Sequence, residues 1–179
     1  MWVLGIDPSL VATGYYLYSL DTKNHNSVYG EINSKRKGIE RLIDIEKGIQ
    51  NQLPMTKLEL AVMEKAFYSP YYGSAIGNVE LGAILKRLFH VEGIPLVLVA
   101  PTTLKKFITG SGKSKKNEIL RKAYQKWGIS ESEHITEAFA LAKIGEMVLK
   151  KENKEFVDKL VGYEKEVLKT ILKGNDLEK

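Results

Sequence analysis

Apolar residues recur along this chain in two rhythms, and the changes between them mark out the elements. Trp2 to Ile6 is apolar on both faces, which predicts a strand inside a sheet with parallel neighbours. Thr13 to Leu20 is aromatic and β-rich, Asp21 to Asn26 is turn material, and Ser27 to Ile32 returns as the partner strand. From Gly38 to Gln52 the residues Ile39, Leu42, Ile43, Ile45 and Ile49 take up helical spacing, and Pro54 stops the run. Leu58 to Met63 predicts a fourth strand. Ser69 to Gly73 reads as a loop, with Ser74 as N-cap of a helix reaching His90.

Pro95 to Ala100 predicts a fifth strand, Pro101 opens a short helix, and Thr109-Gly-Ser-Gly112 reads as a flexible connector. Ser114 is expected to cap the next helix, with Ile119, Leu120, Ala123, Tyr124 and Trp127 inward and the Lys and Arg residues outward, until Gly128 ends it. Ser130-Glu-Ser-Glu133 fits a capping box before a helix through Ile135, Ala138, Phe139, Leu141, Ala142 and Ile144. Beyond Lys150 the stripe Phe156, Leu160, Tyr163, Val167 and Ile171 predicts one helix, or two broken at Gly162. The pattern predicts an α/β fold: a mixed five-stranded sheet, three antiparallel strands then two parallel ones, flanked by helices. Residues 1–150 would form one domain and residues 151–179 a C-terminal helical extension.

Composition narrows this further. With 179 residues, 44% of them hydrophobic and 27% charged, the chain suits one domain with a real core. No Cys is present, so disulfides and thiolate metal sites are excluded and any metal must sit on oxygen or imidazole. The longest clean apolar run is Ile94 to Ala100, far short of the ~20 residues of a bilayer crossing, and no secretory pattern opens the chain. An intracellular, cytoplasmic protein is expected. The net charge of +5 is uneven, because Lys105, Lys106, Lys113, Lys115, Lys116, Arg121, Lys122 and Lys126 face only Glu118 between Leu104 and Lys126. A basic patch on an otherwise slightly acidic chain points to a polyanionic partner, with a solvated lysine-rich helix face as the plainer alternative.

Two strands end alike, Val3-Leu-Gly-Ile-Asp7 and Leu60-Ala-Val-Met-Glu64, each delivering a carboxylate after a buried run. A buried carboxylate is costly without compensation, and two side by side either share a proton or bind a divalent cation, for which oxygen ligands suit Mg²⁺ or Mn²⁺. The alternative has Asp7 capping the turn at Pro8-Ser9 and Glu64 paired with Lys65. His134 and Glu137 lie three apart on one helix face near a capped N-terminus, where both can reach one site. Otherwise His134 is a surface residue and Glu137 pairs with a lysine such as Lys143. Gly110-Ser-Gly-Lys-Ser114 is not a complete phosphate-binding P-loop, since the required first glycine is Phe107 and a helix precedes it. The same residues suit a lysine-bearing loop along a nucleic-acid backbone. Phe67, Tyr68, Tyr71 and Tyr72, directly after Glu64, could stack on exposed bases or simply pack.

Gly5-Ile-Asp-Pro-Ser-Leu-Val-Ala-Thr-Gly14, Met63-Glu-Lys-Ala-Phe67, Ser74 to Gly82, the Lys105 to Lys116 stretch and His134-Ile-Thr-Glu-Ala-Phe-Ala140 together resemble the RuvC family of Holliday junction resolvases, in consistent order over residues 1–146. The resemblance implies a ribonuclease H-like fold and a metal-dependent endonuclease, acting as a homodimer, that nicks four-way DNA junctions symmetrically. Asp7 and Glu64 match the family's first two acidic metal positions, and His134 and Glu137 its last pair, where the final residue is usually Asp. Two Mg²⁺ or Mn²⁺ ions per site would be held by Asp7, Glu64, His134 and Glu137. Phe67 matches an aromatic that stacks at the junction centre, with Tyr68 beside it. Lys105 and Lys116 match basic DNA-contacting or catalysis-assisting positions, and Lys113 and Lys115 join them as DNA-binding candidates. The helix from Ser74 to His90 matches the dimer-forming helix. The resemblance names no helicase partner. Two other readings stay open: a catalytically weak junction-binding protein, which Glu137 in place of Asp keeps alive, and a ribonuclease H-like nuclease acting on RNA or an RNA/DNA hybrid. An actin-like nucleotide-binding domain, hinted at only by Gly5 to Gly14, would need a much longer chain.

Overall fold

In the computed structural model of the chain, residues 1–21, 26–53, 58–66 and 74–175 are described. Five strands form one sheet: β1 (Trp2–Asp7), β2 (Thr13–Ser19), β3 (Ser27–Ile32), β4 (Leu58–Glu64) and β5 (Leu96–Val99), in the order β3-β2-β1-β4-β5. β1 pairs antiparallel with β2 and parallel with β4, while β3 and β5 are the edges. The predicted meander followed by two parallel strands is the observed topology. Its physical basis is β1, buried on both faces and therefore central.

Seven helices accompany the sheet among the described residues: α1 (Gly38–Gln50), α2 (Ser74–Val91), α3 (Pro101–Thr109), α4 (Lys116–Trp127), α5 (Glu133–Leu149), α6 (Lys154–Lys159) and α7 (Gly162–Gly174). Two cores sandwich the sheet. On one face Leu4, Ile6, Ala61 and Met63 meet Leu42, Ile45 and Ile49 of α1 and Leu81, Leu85 and Phe89 of α2. On the other, Leu60, Val62, Val97 and Val99 meet α3, α4, α5 and α7 through Leu104, Ile119, Leu141, Ile144 and Val167.

From Val3 in β1 and Leu60 in β4 onward, past a register shift at the start of the pair, the strand alternation of period two assigns side chains to alternate faces of the sheet. Val3 and Gly5 face α5, since β-carbons added at Gly145 and Gly5 would meet Val3 and the Ala138 carbonyl. Asp7 shares their parity, and Glu64 shares that of Leu60 and Val62. Both carboxylates therefore project towards α5.

The structure corrects several local expectations. Ser114 does not cap α4: the N-cap is Lys115, and Ser114 is buried with its Oγ 2.9 Å from Thr109 Oγ1. The cap of α5 sits two residues later than expected, with Ser132 in place of Ser130 accepting from the Ile135 N–H at 3.3 Å. Tyr124 points outward, 61% exposed, and Lys126 points inward, because a half turn of α4 packs on α3 and α7 rather than on the sheet alone. The charged tail is two helices, broken at Leu160–Val161, and Val167, Leu168 and Ile171 of α7 join the sheet-facing core. Residues 22–25, Pro54, the loop through Ser69 to Gly73 and the aromatics Phe67, Tyr68, Tyr71 and Tyr72 lie outside the described residues.

Candidate metal centre

Three elements deliver the acidic side chains. β1 and β4 run parallel with Ile6 opposite Met63, so the next residues, Asp7 and Glu64, end neighbouring strands side by side. α5 crosses the same face, and its first turns bring His134 and Glu137 over them. Two glycines permit the approach. A β-carbon at Gly5 would lie 1.9 Å from the Ala138 carbonyl oxygen, and one at Gly14, which pairs with Asp7, would lie 2.2 Å from the His134 carbonyl oxygen. Any side chain at either position would push α5 away from the sheet.

Asp7, Glu64 and Glu137 each place a carboxylate oxygen within 4.8 Å of the others. His134 joins through Asp7: its Nδ1 lies 2.5 Å from Asp7 Oδ2. That bond raises the His134 pKa above its ordinary value, against the opposing effect of burial. Glu64 is pushed up to about 9, first by desolvation and then by the charges of Asp7 and Glu137, with Lys105 pulling the other way. Glu137 rises to about 7 by desolvation and the charges of Asp7 and Glu133, offset by His134 and Lys105. Three crowded carboxylates with too little positive charge among them are a site short of a cation. The donor set is all oxygen and hard, and a divalent cation fits it: ionised together, these residues repel, and a bound ion removes the repulsion.

Neither turn capping nor lysine pairing accounts for these acids. The turn after β1 is tied by Thr13, whose Oγ1 donates to the Ser9 carbonyl at 2.8 Å and accepts from the Ser9 N–H at 3.2 Å, while Asp7 bonds His134. Lys143 pairs with Glu146 at 2.8 Å, not with Glu137. The glycine connector follows helix α3 rather than a strand, so the P-loop context is absent.

Of the basic candidates, Lys105 on α3 is close enough to act on Glu64 and Glu137. Lys116, mostly exposed, pairs with Glu133 at the start of α5. Lys113 and Lys115 are exposed on the connector between α3 and α4. Phe67 and Tyr68 lie outside the described residues. Two site residues escape a reading by composition and spacing. Gly14 looks like any strand glycine, and Glu133 looks like a helix-capping acid; only the packing of α5 shows one spacing the helix and the other holding Lys116.

The family model for crossover junction endodeoxyribonuclease RuvC matches residues 3–144. A crossover junction endodeoxyribonuclease RuvC of Ehrlichia ruminantium (strain Gardel) is 34% identical over 125 residues, covering 66% of this chain and 78% of that protein. One from Frankia casuarinae is 28% identical over 136 residues, 74% of this chain and 79% of the relative. Among solved structures, Thermus thermophilus RuvC superposes with a TM-score of 0.59 at 20% identity, and the same protein in complex with Holliday junction substrate with 0.62 at 19% identity; each covers 79% of this chain and 90% of the other. Those structures share the ribonuclease H-like fold. With most of its length matched by the family model and its acidic residues gathered where β1, β4 and α5 meet, the chain belongs to the RuvC family of crossover junction endodeoxyribonucleases.

Proposed function

We propose that this protein is a divalent-cation-dependent endonuclease that resolves four-way DNA junctions by paired nicks, as a homodimer. The observation that carries the reading is the convergence of Asp7, Glu64 and Glu137, with ligand atoms within 4.8 Å of one another, on a face flanked by Lys105 and Lys116. Family membership and the Holliday junction named for the Thermus thermophilus complex support the substrate.

Asp7, Glu64 and Glu137 would hold the metal, Mg²⁺ or Mn²⁺ by their oxygen chemistry, with two ions per site. A metal held by these carboxylates would supply Lewis acidity, activating water and stabilising the departing 3′-oxygen at phosphorus. His134 orients Asp7 through Nδ1, so a proton it exchanges with the reaction sits on Nε2. Lys105 offsets the negative charge that accumulates at the cluster when a phosphate enters. Lys113, Lys115 and Lys116 hold backbone phosphates, Lys116 leaving Glu133 to do so. Phe67 and Tyr68, in the segment that follows Glu64, stack on bases at the junction. α2 would form the dimer interface, and its exposed Ile76 and Val79 supply apolar surface for it. Two-fold protein symmetry would then match two cuts to a two-fold junction.

Glu137 reaches the cluster despite its extra methylene, which favours a competent enzyme over a silent junction binder. The test is incubation of the protein with end-labelled four-way DNA, linear duplex and RNA/DNA hybrid in Mg²⁺ and in Mn²⁺. Paired symmetric nicks in the junction alone are expected; no cleavage of the junction in either metal, or preferential cleavage of the hybrid, overturns the reading.

A further inference from the structure

The family match ends at residue 144, inside α5, yet the chain after it grips helix α3 at both ends. At the start, Asn175 lies against edge strand β5, which leads into α3. The Leu98 N–H donates to Asn175 Oδ1 at 2.9 Å, and Asn175 Nδ2 donates to the Leu98 carbonyl at 3.2 Å. One side-chain amide thus takes both backbone groups that Leu98 would offer to a sixth strand. At the far end, Lys126 Nζ donates to the Phe107 carbonyl at 3.0 Å and pairs with Glu164 Oε1 at 2.6 Å. It also lies 4.5, 4.4 and 5.3 Å from the ring centroids of Phe107, Trp127 and Tyr163. A cation on the last carbonyls of a helix is favourable.

Glu164 also closes the first turn of α7, where its Oε2 accepts from the Val161 N–H at 3.1 Å. Tyr163 packs against Gly110, the left-handed residue (φ 86°) that ends α3, with its ring 3.6 Å from where a β-carbon would stand. Lys106 pairs with Glu166, and Val167, Leu168 and Ile171 share one core with Leu104, Phe107 and Ile108.

This gripped helix starts beside the acidic cluster, because Glu64 pairs in register with Val99, two residues before Pro101. Lys105 stands on its second turn, next to buried Leu104, and its charge reaches both Glu64 and Glu137. Any slide or rotation of α3 moves that ammonium relative to the carboxylates.

We propose that α7 is a brace that sets Lys105 against the acidic cluster, and that Lys126, held by Glu164, is the positioning residue through which it acts. Its meaning for cleavage rests on the nuclease reading above; its effect on cation binding does not.

The experiment compares full-length wild type, Lys126→Met, Lys105→Ala and the combined variant for junction affinity, single-turnover cleavage rate and the Mn²⁺ concentration at the midpoint of the metal-induced rise in melting temperature. Asn175→Ala tests the other end of the brace. Removing one member of a buried ion pair can unfold a protein, so Lys126→Met/Glu164→Gln, which neutralises both, stands in if the single variant does not fold.

Lys126→Met is expected to keep junction affinity within about twofold while cleaving about tenfold or more slowly, the cost of a small displacement in a catalytic constellation. Added to Lys105→Ala, it slows cleavage no further. Both changes shift the Mn²⁺ midpoint lower, since one removes the Lys105 ammonium from the cluster and the other displaces it. Wild-type cleavage and an unmoved midpoint in Lys126→Met, or losses that multiply in the combined variant, would overturn the brace even if the melting temperature falls. If wild type fails to cut the junction, the nuclease reading fails and the Mn²⁺ midpoints alone decide the brace.

Discussion

Glu137 and Glu146 lie on the same helix, both partly buried against the sheet, and the protein treats them in opposite ways. Glu146 accepts from Tyr18 at 2.7 Å and from Lys143 and Lys150 at 2.8 and 2.7 Å, and although burial opposes it these partners bring its pKa down to about 2. Glu137 faces Asp7 and Glu64 and is held up near 7. One carboxylate is saturated with donors and has nothing left to bind. The other is left deficient, and folding carries the cost. That contrast separates an acid that ties β2 to α5 from acids kept in readiness for a ligand that is itself positive.

The comparison breaks most sharply at Asp7. Asp7→Asn removes a charge shared by the cluster and should slow junction cleavage about a thousandfold or more, the several kcal/mol that metal-assisted chemistry supplies, while junction affinity measured by gel shift stays within about threefold. An equal loss of binding in the folded variant would contradict its assignment to the chemistry.

Stability should move in opposite directions at the two sites. Glu146→Gln leaves two ammonium groups without their carboxylate and should cost roughly 2–3 kcal/mol, read as a fall in melting temperature, with cleavage unchanged at a permissive temperature. Glu64→Gln removes the cost of burying an acid that is ionised in the unfolded chain and must be neutralised on folding, so it should raise the melting temperature of the cation-free protein by a few degrees, while erasing the further rise that Mn²⁺ gives wild type.

A pH series in chelator sharpens the same contrast. Glu146 has a depressed folded-state pKa, so its stabilisation is present above about pH 4.5 and disappears as pH falls towards about 2. Glu64 and Glu137 have raised values, so their favourable contribution is complete below about pH 4.5 and fades as pH climbs through about 7 and about 9. The cation-free melting temperature should therefore decline from about pH 6 to about pH 9, and Glu64→Gln should flatten that decline. A steeper decline in the variant would contradict it.

The smallest effect is at Lys116. Lys116→Ala should weaken junction binding and reduce the slope of log affinity against log salt by about 0.9, one phosphate contact. An unchanged salt titration would assign Lys116 to its pairing with Glu133 alone.

Much of the fold was legible because hydrophobic periodicity is local. The helix from Gly38 shows it, as does β1, whose double-sided apolar run demanded a central place in a sheet. The misreadings share a cause. Tyr124 and Lys126 follow an amphipathic pattern drawn against one surface, but α4 also meets α3 and α7, which turns a charged position inward and an aromatic one outward. Ser114 and Ser130 looked like caps by identity, but the Ser114 hydroxyl is spent on Thr109, so α4 follows Lys115 without a side-chain cap, and Ser132 caps α5.

For the candidate site, residue types and strand parity were already in the sequence: Asp7 and Glu64 each close a buried run, and His134 and Glu137 share a helix face. That these groups meet, with His134 on Asp7 rather than in free contact with solvent, depends on α5 lying tightly across Gly5 and Gly14. The sequence by itself determined which side chains are available and which face of each element they occupy, because alternation and helical period act within a few residues. Only the tertiary structure decided which charges are left uncompensated, since an electrostatic deficit is a sum over groups from distant parts of the chain, here Asp7, Glu64 and Glu137, and no local pattern contains it.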